Sequence, residues 1–258
     1  VPRFLSTAWK LSTMRIPWER YPYWGTTANV WEQSDAALRF PSMFTRKQRT
    51  APDKNTAPPD RPAPPELSGV HFVNGRSIVA PFPDGIETIY LGMGCFWGAE
   101  QIFWELPGVY STAAGYSGGF TENASYDDVC TGRTGHAEVV LVAYDPDTIT
   151  LDEVLKHFWE QHDPTQGDRQ GNDVGSQYRS AVYWSTEPQR DEATRSRDRY
   201  AAALRDGGFS NVTTEIKQIG DFFYAEEYHQ QYLAKNPGGY CNHGFCQLTY
   251  TSPVNTDG

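Results

Sequence analysis

Residues 86–108 read IETIYLGMGCFWGAEQIFWELPG, and their pattern sets the architecture. Residues 86–92 are rich in β-branched and aromatic side chains, the composition of a strand, and they run into glycines at Gly92 and Gly94. A helix is expected from Phe96 to Leu106, stopped by Pro107-Gly108. Cys95 therefore stands where a strand feeds a helix. Working outward, residues 109–117, 138–144 and 179–184 are strand-like. Thr150-x-x-Glu153 is a capping box, ahead of Leu151, Val154, Leu155, Phe158, Trp159 and His162 at helical spacing; Pro164 ends that helix. Thr186-x-x-Gln189 is expected to cap a polar surface helix reaching Leu204, with Gly207-Gly208 as its terminator. Residues 213–219 make a last strand, and the chain after Pro237 is expected to be irregular. Strands and helices that alternate irregularly through long glycine-rich loops indicate an α+β fold, a two-layer sandwich of a mixed sheet with helices packed on it. The long tail completes it.

Composition bounds the function. A chain of 258 residues makes one large domain or two small ones. Its formal net charge is −10, so no basic field exists to hold nucleic acid. Its apolar runs fall far short of the roughly 18 residues a membrane span needs. Charge and proline nevertheless divide it: residues 1–68 carry a net +4 and ten of the 18 prolines, and the remainder a net −14. Residues 1–68 are thus expected to be a disordered extension and Pro-rich linker, with the folded domain spanning 69–258. The first 18 residues contain Arg3, Lys10 and Arg15 and no acid, a composition compatible with an organelle transit peptide. The alternative reading, an over-extended start over residues 1–42 ahead of Met43, leaves the protein in the cytoplasm. Four cysteines are too few for a disulfide scaffold and are read one at a time as chemistry.

Cys95 is the first of these. A helix start presents unpaired N–H groups that stabilise a thiolate, which is expected to lower the thiol pKa from its free value of about 8.5. Two other readings of nearby residues compete. The glycines around Cys95 approach a dinucleotide fingerprint, but their spacing is off by one and no acid ends the next strand. His136-Ala137-Glu138 resembles the H-x-E of zinc-dependent nucleobase deaminases, which also need a close cysteine pair; here that pair is Cys241 and Cys246, about a hundred residues on. A zinc-dependent hydrolase or deaminase using His136 and Glu138 is the alternative function, and a non-catalytic redox-sensing domain the third. Cys130 is expected to be a buried structural thiol.

The segment GCFWGAE at 94–100 resembles the active-site motif of the peptide methionine sulfoxide reductase A family. The likeness continues through LPGVYSTAAGYSGG at 106–119, GHAEVV at 135–140, DPTQGDRQGNDVGSQYRSA at 163–181 and HQQYLAKNPGGYC at 229–241. The resemblance implies a ferredoxin-like core and a thiol-dependent, cofactor-free and metal-free reductase of methionine S-sulfoxide, free or in proteins. It implies thioredoxin as the reducing partner and a monomer. It makes Cys95 the nucleophile, which becomes a sulfenic acid. It makes Glu138 the acid on the sulfoxide oxygen, Tyr126 and Tyr178 further donors to that oxygen, and Asp173 an organiser of the site's water. Phe96 and Trp97 become the cradle of the S-methyl group. Cys241 is then the first resolving thiol and Cys246 the second, although only four residues separate them. For Glu138 to donate a proton it must sit where burial raises its pKa.

Overall fold

The computed structural model describes residues 52–241, 243 and 248–252. Readings that concern residues 1–51, and Cys246, lie outside this set. In chain order the main elements are β1 (Glu87–Met93), α1 (Phe96–Trp104), β2 (Val109–Ser117), α2 (Tyr126–Cys130), β3 (Ala137–Tyr144), α3 (Leu151–Glu160), β4 (Arg169–Gln170), β5 (Asp173–Val174), β6 (Ser180–Trp184), α4 (Glu187–Asp206), β7 (Glu215–Gln218), β8 (Phe222–Tyr224) and α5 (Tyr232–Lys235).

Six strands form one sheet in the order β7-β6-β1-β3-β2-β8. Its four central strands, β6-β1-β3-β2, pair antiparallel throughout and carry the ferredoxin-like order. Among the described residues the one parallel pair is β6 with β7, joined through α4, which makes the sheet mixed. The strand β3 is buried along its whole length, because both of its faces are covered. Val140, Val142 and Tyr144 join Phe96, Phe103, Leu155, Phe158 and Trp159 on the helical face. Leu141 and Ala143 alternate onto the other face, where Ile78 and the flanking Leu67, Val79 and Phe82 cover them. This alternation fixes the register, since a slip of one residue would exchange the two faces.

Local signals explain most of the helices. In α3 the Thr150 hydroxyl accepts from Glu153 N–H while the Glu153 carboxylate accepts from Thr150 N–H, so the box closes. The helix α4 ends as expected, with Gly208 at φ +78° just past Asp206. Its start differs. Thr186 makes no side-chain cap, and the Gln189 side chain, the other half of the box, instead accepts from Ser185 N–H and donates to Glu87 and to the Thr88 carbonyl of β1. Nor is the 213–219 segment the last strand. It shortens to β7, and β8 follows, pairing with Gly115–Ser117 at the other edge of the sheet. Upstream, the backbone of Arg61 donates to the Glu122 carbonyl and Asp60 accepts from Glu122 N–H, laying that segment along the loop before α2.

Candidate active site

The strand β1 delivers its chain to the first turn of α1 through Gly94. That residue has φ +91°, and a β-carbon there would lie 2.5 Å from the Gln170 side chain, so glycine is required twice over. Cys95 is the N-cap of α1 and is 7% exposed. The backbone N–H groups of Trp97 and Gly98 do favour its thiolate, but burial first, and then the Glu138 carboxylate, push the thiol pKa well above its ordinary range. The helix start alone does not make a resting thiolate here; desolvation outweighs it.

Glu138 is the second residue of β3, opposite Tyr116, and is 1% exposed. Its Oε2 accepts from Phe96 N–H at 3.0 Å. Burial raises its pKa from an ordinary 4.5 to about 8, against that hydrogen bond and with Asp173 adding to the rise. The carboxyl is therefore protonated at neutral pH and can donate. Tyr126 begins α2, and Tyr178 ends the short 3₁₀ turn Ser176–Tyr178. Burial raises both phenols; Cys130 and Glu138 contribute at Tyr126, and Glu138, Cys130, Asp173 and Cys95 at Tyr178. Both stay protonated donors, and the mutual influences place Cys95, Glu138, Tyr126, Tyr178 and Asp173 around one site. Asp173 accepts from the Tyr240 hydroxyl through Oδ1, while its Oδ2 is buried without a protein partner among the described residues.

Phe96 is buried and Trp97 half-buried. His229 carries no signal of its own in the sequence, yet it organises this aromatic pair. Its Nδ1 accepts from Trp97 Nε1–H at 2.9 Å, and its ring lies 5.0 Å from Phe96 and 4.5 Å from Tyr126 between centroids. Tyr232 stacks on Trp97 at 3.9 Å. The segment bearing His229 is clamped to α1 by Glu100, fully buried, which accepts from Gln231 N–H and Gln231 Nε2–H at 2.7 Å each. Among fifteen tyrosines and six histidines, no spacing in the sequence separates these two from packing residues.

Two readings change, and the tail finds its place. Cys130 is exposed, and its thiol meets the Tyr126 hydroxyl at the edge of the site instead of being buried in the core. His136 is not poised for a metal: Nδ1 accepts from Gly119 N–H, so Nε2 carries the proton and donates to the Thr121 carbonyl at 2.7 Å. No lone pair is left, and the zinc alternative loses its histidine. The tail after Pro237 is irregular as expected, yet it is docked where it is described. His243 Nε2 bonds the Met93 carbonyl at 2.8 Å, Leu248 packs against the core, and Tyr250 is buried with its N–H on Glu160. Cys241 Sγ comes to the first turn of α1, where a β-carbon on Gly98 would lie 2.8 Å from it.

Comparison with known proteins agrees with this geometry. The family model described as peptide methionine sulfoxide reductase matches residues 87–252. Peptide methionine sulfoxide reductase MsrA of Agrobacterium fabrum is 58% identical over 196 residues, covering 76% of this chain and 91% of that protein. MsrA of Rhodospirillum centenum is 61% identical over 178 residues, covering 69% and 81%. The solved structure of methionine sulfoxide reductase A of Corynebacterium diphtheriae superposes with a TM-score of 0.70 at 45% identity, covering 75% of this chain and 94% of that one.

Proposed function

The chain belongs to the peptide methionine sulfoxide reductase family, and from that premise we propose the roles of its residues in reducing methionine S-sulfoxide, free and within proteins. The observation that carries the proposal is the buried thiol and the proton-bearing carboxyl at one helix start: Cys95 as N-cap, and Glu138 bonded to the next residue's N–H. A sulfoxide oxygen placed there receives hydrogen bonds from Glu138, Tyr126 and Tyr178, which draws electrons from the sulfur. The Cys95 sulfur attacks. The S–O bond of the substrate breaks, the oxygen passes to Cys95 as a sulfenic acid, and the thioether leaves. The thiol proton and the Glu138 proton exchange places through the oxygen, so Glu138 ends as it began.

Protonated Glu138 also removes the charge that most opposes the Cys95 thiolate after burial itself. Substrate binding and thiol activation are thus coupled: the same proton that polarises the oxygen permits the sulfur to ionise. Trp97, held by His229, and Phe96 form the wall for the S-methyl group. Cys241, at the first turn of α1, then attacks the sulfenic acid and forms a disulfide with Cys95. Thioredoxin regenerates both thiols, with Cys246 taking over the disulfide before that exchange.

The test is dithiothreitol-dependent turnover of a methyl aryl sulfoxide, followed with each epimer. Cys95→Ser abolishes it and only the S epimer is consumed. With thioredoxin in place of dithiothreitol, Cys241→Ser releases one equivalent of thioether and stalls, and Cys246→Ser accumulates a Cys95–Cys241 disulfide detectable by non-reducing peptide mapping. Turnover by Cys95→Ser would remove the assignment of the nucleophile.

A further inference from the structure

His243 sits in the tail two residues beyond Cys241, and nothing in the first chemical step uses it. Its ring has one committed nitrogen and one free. The Met93 carbonyl only accepts, so the bond at 2.8 Å fixes the ring proton on Nε2. Nδ1 then presents a lone pair, and it is buried with no hydrogen-bond partner among the described residues. A buried acceptor left unpaired is destabilising, so its place calls for a reason. The geometry at Gly98 supplies one. A β-carbon built on Gly98 would overlap His243 Nδ1 and lie 2.8 Å from Cys241 Sγ. The free nitrogen and the tail sulfur therefore occupy one small space, directly above the turn whose N-cap is Cys95.

We propose that His243 is the general base that takes the proton from the Cys241 thiol when this sulfur attacks the Cys95 sulfenic acid. The inference rests on the reading of Cys241 as the resolving thiol. The step balances within the protein. Nδ1 removes the Cys241 proton, and the Cys241 sulfur forms the S–S bond as the S–O bond of Cys95 breaks. The departing hydroxide takes the proton back from the imidazolium and leaves as water. Cys95 is reduced from sulfenic acid to disulfide, Cys241 is oxidised from thiol to disulfide, and His243 returns neutral. No further reactant is consumed.

The surroundings keep the ring in the form a base needs. Burial lowers its pKa, against the pull of the Met93 carbonyl and Asp173, so it is neutral at pH 7. The groups facing it are Asp173 of β5, Cys241, and His162 beyond α3, which is itself kept neutral by burial while bonded to the Phe158 carbonyl and Ser180. The Met93 tether also positions the base: β1 carries the carbonyl, and β1 leads straight into Cys95.

The thiolate and not the thiol is the nucleophile, and an ordinary thiol supplies only a few per cent of it at neutral pH, so a base that delivers thiolate on demand accelerates such an attack by at most about 30-fold. His243→Gln is the informative variant, because the Gln amide keeps a donor for the Met93 carbonyl and an acceptor oxygen but has no basic nitrogen. The full-length protein is given one equivalent of methionine sulfoxide without reductant. Methionine release is timed by chromatography, and disappearance of the sulfenic acid by dimedone trapping and mass spectrometry. We expect His243→Gln to slow sulfenic acid disappearance 10- to 30-fold relative to methionine release at pH 7. The gap should narrow near pH 9.5, where solvent hydroxide can take the proton in place of the ring. Resolution at the wild-type rate at pH 7 overturns the proposal. So does a deficit of equal size at both pH values, which would make His243 a tether only. If Cys241→Ser resolves normally, the underlying reading of Cys241 fails instead, and the proposal falls with it.

Discussion

Replacing Glu138 by Gln should disable the enzyme and stabilise its fold, with a pH dependence that identifies the cause. The native carboxyl holds its proton up to about pH 8, whereas in the unfolded chain it releases that proton near 4.5. Between those values the unfolded state is favoured by proton release. Stability is therefore lost as pH rises, by about 1.4 kcal/mol per pH unit. At pH 4 the penalty is close to zero; at pH 7 it reaches roughly 3 kcal/mol. Gln carries no such penalty, and its Oε1 can still accept from Phe96 N–H. Its extra N–H group costs something if unpaired, but that cost is the same at both pH values and cancels between them. The stability difference between variant and wild type should therefore grow by about 3 kcal/mol from pH 4 to pH 7, read by urea unfolding. Methionine release should fall about 10²- to 10⁴-fold, the usual contribution of a positioned acid. In the wild type it should decline above pH 8 as Glu138 ionises. A stability difference equal at both pH values would show that Glu138 is ionised in the native state, and wild-type turnover by the Gln variant would reduce it to a strand carboxylate.

Other perturbations probe the supports of the site. Gly98→Ala places a methyl group against His243 and Cys241, so disulfide formation should slow at least about tenfold relative to methionine release, the equivalent of roughly 1.4 kcal/mol of lost docking; unchanged disulfide kinetics would show that the tail does not rest there. His229→Ala removes the acceptor of the Trp97 indole, and the unpaired N–H, worth about 1–3 kcal/mol, should appear mainly as a raised KM; a loss in kcat alone would argue against a role in substrate seating. Thr150→Ala opens the capping box of α3 and should cost about 1 kcal/mol of unfolding free energy with turnover intact; no change would mean the helix is held by packing alone.

Much of the site is legible in the order of the residues alone. The strand, glycine turn and helix of residues 86–108 appear as β1, Gly94 and α1, because each is specified by local rules: β-branched and aromatic residues, a positive φ, and apolar spacing. The capping box at Thr150 forms for the same reason, its two partners being three residues apart. Where a residue has a distant competitor, the local rule fails. Gln189 is taken by β1, so the Thr186 box stays open. The strand β8 has three residues and no readable period; it exists because the edge of β2 offers it partners.

The chemistry divides along the same line. The sequence by itself determined which residues the proposed reaction draws on: a cysteine at a helix start, an acid near the start of a strand, two thiols in a glycine-rich tail. The tertiary structure decided their protonation, because burial depends on what the rest of the chain lays over a group. Desolvation raises Cys95 where the helix start alone would lower it, and keeps the proton on Glu138. It also decided the supports, since Trp97 and His229 stand 132 residues apart, and Met93 and His243 150 apart. No periodicity spans such distances; only the sheet, by bringing β1, β3 and the returning tail to one helix start, makes neighbours of them.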